Sequence, residues 1–375
     1  MISTLSLKNF KCFRSIVFKL GGINLFAGVN GTGKSTVLQS LLLVRQSFES
    51  ESLRRGDLQL NGALADLGTA GEVFCAAPNS DFIEVALTNE AKSELHFTAR
   101  YSEEASKEYS LYLEQPTGFD GEGRGFGIFS ELFNYLQAER TGPRKTFQIL
   151  PEGRHSFHVG RAGESAAYVV ASPHRDAKIA NEALLLSSED GQELATIRYQ
   201  WPLWMARLFP GFDAQSEIYS TADQVRLAFA LQETEAGQSL FVRPGNTGFG
   251  ISYALGIIVA GLAAEHDTVL LVENPEAHLH PRAQSLIGEF LARVSAGGAQ
   301  VFVETHSEHV LNGVRRMVKQ QIIPPDKCRL FFFSRTAGDL EPTKTDVPIS
   351  GSGEIEIWPE GFFDQLDKDL TEILS

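Results

Sequence analysis

Apolar and polar positions alternate at the start of the chain. Leu5 and Leu7, and then, past a turn, Ile16 and Phe18, stand one residue apart among polar neighbours. A period of two puts one face of a strand on a core and the other in water, so paired strands are expected here. Gly21-Gly22 makes a turn, and Ile23 to Ala27 reads as a third strand. An apolar-rich helix is expected to follow, running to about Phe48. FIEVAL (82–87) and SLYLE (110–114) alternate again, and the glycine-rich stretch 118–127 reads as a loop.

Regular texture returns near residue 221. TADQVRLAFALQE carries helical spacing with Thr221 as its cap, so a helix is expected there. Ile251 to Ala264 reads as an apolar helix. TVLLV (268–272), AQVFVE (299–304) and CRLFFFS (328–334) read as buried strands, and Pro281 opens a helix that Gly297-Gly298 closes. Strands alternating with helices imply parallel βαβ units. In the tail, Phe362, Leu366, Leu370, Ile373 and Leu374 fall on one helical face, a stripe expected to cover the protein's own core.

Three stretches carry chemistry. Gly28-Val29-Asn30-Gly31-Thr32-Gly33-Lys34-Ser35 matches G-x-x-x-x-G-K-[ST], followed by Thr36, in a strand–loop–helix context. Glycines let backbone N–H groups converge on phosphate oxygens, and the helix turns its positive end to the same anion. Lys34 is expected to reach the β/γ-phosphates and Ser35 to ligate Mg²⁺. Glu273 ends a buried strand, at the sheet edge where doubly wound folds bind ligands, and is expected to hold the same ion. A third strand ends at Thr305-His306-Ser307, where an imidazole can contact a γ-phosphate or orient the attacking water. A rival reading takes His278, His280, His306 and His309, with Glu276, as ligands of zinc or another transition metal, but their spacing matches no strong metal signature. Two basic clusters, Arg140/Arg144/Lys145 and Arg154/His155/His158/Arg161, read as solvated charged faces.

Composition narrows the setting. The chain has 375 residues, 43% hydrophobic and 21% charged, enough for a sizeable core and against disorder. Lys and Arg number 33 against 47 Asp and Glu, a net charge of −14 that argues against broad nucleic-acid binding. Three distant cysteines, Cys12, Cys75 and Cys328, exclude a disulfide framework and fit a reducing compartment. The longest apolar run is shorter than the roughly 20 residues a membrane span needs, and the alternating start lacks the charge-then-apolar block of a secretion signal. A cytoplasmic protein with no membrane segment is expected.

Taken together, LKNFKCF (7–13), GVNGTGKST (28–36), NTGFGISYALGIIVAG (246–261), ENPEAHLHP (273–281) and THSEH (305–309) resemble the ABC-type ATPase heads of the RecF/SMC/OLD group. More narrowly, the chain resembles small bacterial ATPases of that group without coiled-coil arms or a fused nuclease. LNGALADLG (60–68), YLQAERTGPR (135–144) and GEIEIWPEGFFDQ (353–365) are similar to that subgroup too.

The resemblance implies an α/β P-loop NTPase fold with N-terminal antiparallel strands. It implies a nucleotide-binding core over 1–80 and 221–340, an inserted β-rich region over 81–220, and a helical element over 341–375. ATP and Mg²⁺ are implied, with Gly28, Asn30, Gly31, Thr32, Gly33, Lys34, Ser35 and Thr36 on the phosphates and Ser35 and Glu273 on the metal. Two copies are implied to sandwich ATP head to tail, a signature segment resembling NTGFGIS offering Gly248, Gly250 and Ser252 to the γ-phosphate across the interface. His306 matches the switch histidine, Ala277 to His280 the loop crossing the dimer interface, and Gln59 is the candidate for a glutamine loop.

Where many relatives place a glutamate after the Walker B acid, this chain has Asn274, which cannot accept a proton as a base. Glu276 taking over, Asn274 orienting water, and very slow hydrolysis all remain open. The subgroup implies defence or DNA maintenance, with a separately encoded, nuclease-like effector gated by ATP state. A nucleotide-held scaffold with negligible turnover and a RecF-like DNA-binding repair ATPase are the other readings.

Overall fold

The N-terminal alternation builds an antiparallel sheet. In the computed structural model, which describes residues 1–114, 118–149, 157–187, 194–231, 238–336, 338–359, 361–362 and 365–374, the chain divides into two units: Met1–Ser130 with Pro325–Ser350 and Glu354–Ser375, and Glu131–Pro324 with Gly351–Gly353.

The first unit opens with β1 (Ile2–Phe10), β2 (Phe13–Lys19) and β3 (Ile23–Gly28), then α1 (Lys34–Glu49), α2 (Ser52–Arg55), β4 (Asp57–Gln59), α3 (Ala70–Val73), β5 (Phe82–Asn89), β6 (Glu94–Arg100) and β7 (Ser110–Tyr112). One sheet runs β2-β1-β5-β6, antiparallel throughout. Leu5 faces Phe18 on one side and Leu87 on the other, and all three are buried, so the period of two is realised. α1 is anchored beyond its first turns. The Gln46 side chain donates to the Gln59 carbonyl (2.6 Å) and accepts from the Ala65 N–H (2.9 Å), and Arg45 donates to the Ile128 and Ser130 carbonyls (2.8 and 2.7 Å).

The second unit holds β8 (Asn134–Leu136), β9 (Phe147–Gln148), α4 (Ala166–Ala171), α5 (Ile197–Leu208), β10 (Asp213–Tyr219), β11 (Gln224–Ala230), α6 (Phe249–Leu262), β12 (Val269–Glu273), α7 (Pro281–Ala296), β13 (Gln300–Glu304) and α8 (Glu308–Lys319). β12 lies between β8 and β13, parallel to both, with Val272 opposite Leu136 and Val303. β10, β11 and β9 form a separate antiparallel sheet. α7 and α8 cross at glycines: a Cβ on Gly313 would lie 2.8 Å from the Glu289 nitrogen and 3.0 Å from the Gly288 Cα, so neither helix tolerates a side chain there.

The helix expected from Thr221 is a strand. A single 3₁₀ turn covers Ser220–Ala222, and β11 then pairs with β10 from Gln224 opposite Tyr219 to Ala230 opposite Asp213. Val225, Leu227 and Phe229 are buried while Arg226 is exposed, but Ala228 and Ala230 are buried too, so the strand alternates only over its first half and is covered on both faces beyond. The run V-R-L-A-F-A-L satisfies both periods, and its pairing partner decides between them.

The chain returns to the first unit through β14 (Cys328–Ser334), β15 (Thr343–Asp346) and α9 (Gln365–Leu374). β14 is parallel to β3 and antiparallel to β15. Phe26 stacks on Phe331, and Phe18 meets Phe331 edge-on, both at 5.3 Å. Phe362 is buried against Phe332 (4.9 Å), as a core-covering residue should be. Leu370, Ile373 and Leu374 are exposed, so the expected stripe is not wholly inward. Among the described residues no helix is long and apolar enough to cross a membrane.

Candidate functional site

The glycine loop and Lys34 belong to the first unit. β3 ends at Gly28 and α1 begins at Lys34. Gly28, Gly31 and Gly33 have φ of 138°, 75° and 92°, a region that favours glycine. At Gly33 space agrees with backbone, because a Cβ would lie 2.6 Å from Cys12 Sγ and 2.7 Å from the Phe13 ring. Gly33 caps α1 without a side-chain hydrogen bond among the described residues, and the first turn holds no acid. The helix therefore presents backbone N–H groups and the positive end of its dipole.

Lys34 is buried at its helix start, its ammonium donating to the Gly28 and Val29 carbonyls at 3.0 and 2.8 Å. The Thr32 hydroxyl donates to Val29 (2.7 Å). Asn30 and Gly31 are exposed at the loop tip, Ser35 is half-buried, and Thr36 is buried, its hydroxyl 3.7 Å from the Cys12 thiol. Gln59, the glutamine-loop candidate, donates to the Asn61 carbonyl (2.7 Å).

The candidate acids Glu273 and Glu276 belong to the second unit. Glu273 ends β12, and the Tyr135 hydroxyl and the Ala138 N–H donate to its two carboxylate oxygens at 2.9 and 3.1 Å. Burial, reinforced by that carboxylate, pushes the Tyr135 phenol well above its ordinary value, so it stays a donor. Asn274 has φ 42°, donates its N–H to the Glu304 carbonyl (2.8 Å), and has a buried Oδ1 with no hydrogen-bond partner among the described residues. Glu276 accepts from the Thr305 hydroxyl (2.8 Å) and the His306 N–H (2.7 Å), tying the loop after β12 to the end of β13. The His306 side chain is exposed.

Arg140 corrects the sequence reading. It is buried, not on a solvated face; its guanidinium donates to the Glu273 carbonyl and to the Asn274 carbonyl (3.2 Å) and lies over the Tyr253 ring at 5.8 Å. Burial lowers its pKa to about 10, with Glu276 opposing, so it remains charged near neutral pH. Tyr135 and Arg140 both lie in YLQAERTGPR, whose resemblance was the available signal. Arg144 and Lys145 are exposed. In the second basic cluster, Arg154 and His155 lie outside the described residues, and His158 donates to the Glu131 carbonyl (2.8 Å).

The signature segment and the loop 273–281 are brought together. Gly248 caps α6, and a Cβ on Gly250 would lie 2.6 Å from the His278 carbonyl. His278 packs on Tyr253 (4.8 Å) and Phe249 (5.4 Å). The Ser252 Oγ is buried with no hydrogen-bond partner among the described residues. Within the second unit, Glu276 thus binds Thr305 and His306 directly, Arg140 spans the Glu273 and Asn274 carbonyls, and Gly250 lies against His278. No three of the His, Cys, Asp and Glu side chains among the described residues are placed to hold a metal ion, which overturns the histidine-cluster reading. His280 instead caps α7, its Nδ1 accepting from the Arg282 N–H.

A family profile described as "AAA domain, putative AbiEii toxin, Type IV TA system" matches residues 23–312. The chain belongs to this AAA family. A second profile, "Protein of unknown function (DUF3696)", matches 323–373. No curated protein matches the chain. Among solved structures, an SMC head bound to the C-winged helix domain of ScpA aligns at TM-score 0.51 and 14% identity, over 93% of this chain and 98% of that one. An Smc head with an extended coiled coil bound to the C-terminal domain of ScpA, derived from Pyrococcus furiosus, aligns at 0.52 and 13% over 100% and 99%. The fold is that of an ABC-type ATPase head of the RecF/SMC group, a P-loop NTPase, and family and fold together support ATP binding.

Proposed function

We propose that the protein binds and slowly hydrolyses Mg-ATP, closes on it as a head-to-tail homodimer, and gates a separately encoded, nuclease-like effector in bacterial antiviral defence or DNA maintenance. The observation that carries the reading is the uncapped start of α1 behind a glycine loop, with buried Lys34 at the same end. Such a cradle is built for a polyphosphate. The residues present fit: at Gly33 the loop backbone packs so closely on Cys12 and Phe13 that only glycine is accommodated, and each Glu273 oxygen keeps a lone pair beyond the bond it already accepts.

In this reading Lys34 and the loop N–H groups hold phosphates, and Ser35 and Glu273 hold Mg²⁺. The ion, when bound, neutralises phosphate charge. Gly248, Gly250 and Ser252 serve the sister copy's γ-phosphate. Asn274 orients water, and Glu276 and His306 complete the water side. Nucleotide touching both subunits only in the closed state biases the pair towards closure. The family description supports the defence setting, and SMC heads bound to parts of ScpA give precedent for a protein partner on this fold.

Phosphate release by purified protein, calorimetric ATP titration and sedimentation with and without ATP test the proposal. Lys34→Ala is expected to abolish ATP binding and leave circular dichroism unchanged; retained affinity removes the phosphate-loop assignment. Asn274 in place of a carboxylate, and the engagement of both Glu276 oxygens, favour a second reading: a nucleotide-held scaffold. ATP-dependent dimers releasing no phosphate above the Lys34→Ala background would establish it.

A further inference from the structure

The second unit carries a small pocket of about 310 Å³ lined by Arg207, Arg282, Ser285, Leu286 and Arg316, none of their side chains used above. Three guanidiniums, one hydroxyl and, among the described residues, no carboxylate line it. The one acid that organises it lies beneath. Glu289 on α7 is buried, and its carboxylate receives Arg207 (3.1 Å) from α5, Arg293 (3.1 Å) from its own helix and Arg316 (3.0 Å) from α8. The close α7–α8 crossing at Gly288 and Gly313 brings Arg316 within reach. Arg282, in the first turn of α7, has no ion-pair partner among the described residues.

Three guanidiniums thus share one internal carboxylate and a fourth, that of Arg282, lines the same pocket without an acid of its own among the described residues, in a chain whose net charge is −14. Like charges held this close repel. Arg207 and Arg316 are fixed by Glu289 with 35% and 47% of their side chains still open to solvent, so the repulsion is built in by the buried acid and eased by an external anion. Guanidinium forks match phosphate oxygens two at a time, and Ser285 adds a hydroxyl donor.

We infer that the Arg207–Arg282–Arg316 pocket is a second anion site, distinct from the phosphate loop, that takes a phosphate group. Two sources present that chemistry: a free phosphate compound and the phosphodiester backbone of a nucleic acid. The inference stands on the pocket alone and survives failure of the ATPase reading.

Arg282 is the residue to change, because it is exposed and leaves the Glu289 pairs intact. Pyrophosphate is titrated calorimetrically at low salt into the full chain carrying Lys34→Ala, which removes the lysine of the phosphate loop, and into the same chain with Arg282→Ser added. Binding that weakens about tenfold or more on Arg282→Ser, with circular dichroism unchanged and Arg282→Lys intermediate, is the expected result. A parallel anisotropy titration with a labelled single-stranded oligonucleotide separates the sources. Arg282- and salt-dependent binding of the strand identifies a backbone phosphate, whereas pyrophosphate binding without strand binding identifies a free phosphate compound. Equal affinities for both probes in the presence and absence of Arg282, or no binding of either, overturn the site.

Discussion

The Thr305 hydroxyl donates to Glu276 at 2.8 Å, and the other Glu276 oxygen takes the neighbouring His306 N–H at 2.7 Å. The carboxylate thereby fixes the turn that carries His306. If Glu276 acts by holding that turn, Glu276→Gln and Thr305→Val slow phosphate release by similar factors, about 5–10-fold each for one net hydrogen bond. A proton-accepting role predicts instead that Glu276→Gln is about 100-fold or more the worse of the two. Steady-state turnover of the two variants decides.

Arg140 holds two successive carbonyls, those of Glu273 and Asn274, with one charged fork. Arg140→Met removes both donors and leaves the acceptors buried, so a loss of about 2–5 kcal/mol is expected in urea unfolding. Arg140→Lys, with a point charge in place of the fork, recovers only part of it.

Cys12 stands where a Gly33 side chain would go. Gly33→Ala is expected to cost about 1–3 kcal/mol through its left-handed backbone alone and to lose ATP affinity. Burial raises the Cys12 thiol pKa, against the lowering effect of Thr36, so its alkylation is slow near neutral pH. Bound ATP is expected to slow it further, and the alkylated protein to bind ATP weakly, read by peptide mass and calorimetry.

Burial, with Asp326 nearby, pushes the Cys328 thiol from 9.0 to about 12. The folded chain then holds this proton while the unfolded chain releases it. The contribution is fully present below pH 9 and is lost as pH rises towards 12. Relative to Cys328→Ala, the parent is expected to lose about 1.4 kcal/mol between pH 8 and pH 10, measured by urea unfolding at each pH.

The parts legible in the sequence are those whose determinants are local. The phosphate loop declares itself through glycines and Lys34, α7 through Pro281 and Gly297, and β12, β13 and β14 through short apolar runs. β11 was not legible, because V-R-L-A-F-A-L suits either period until β10 lies beside it. Arg140 was not legible either, since the groups that make its burial tolerable lie as far as 134 positions along the chain. In the tail, Phe362 reads correctly as buried, its partner Phe332 being known only from the structure, while exposure of Leu370, Ile373 and Leu374 is invisible to periodicity.

Gln46 has a mechanical corollary. A rigid rod set at one end on the glycine loop and stapled, three turns on, to Gln59 and Ala65 cannot pivot without dragging those positions along. Chain segments more than twenty residues past the loop's lysine thereby share in any event at the loop, by leverage rather than by touch.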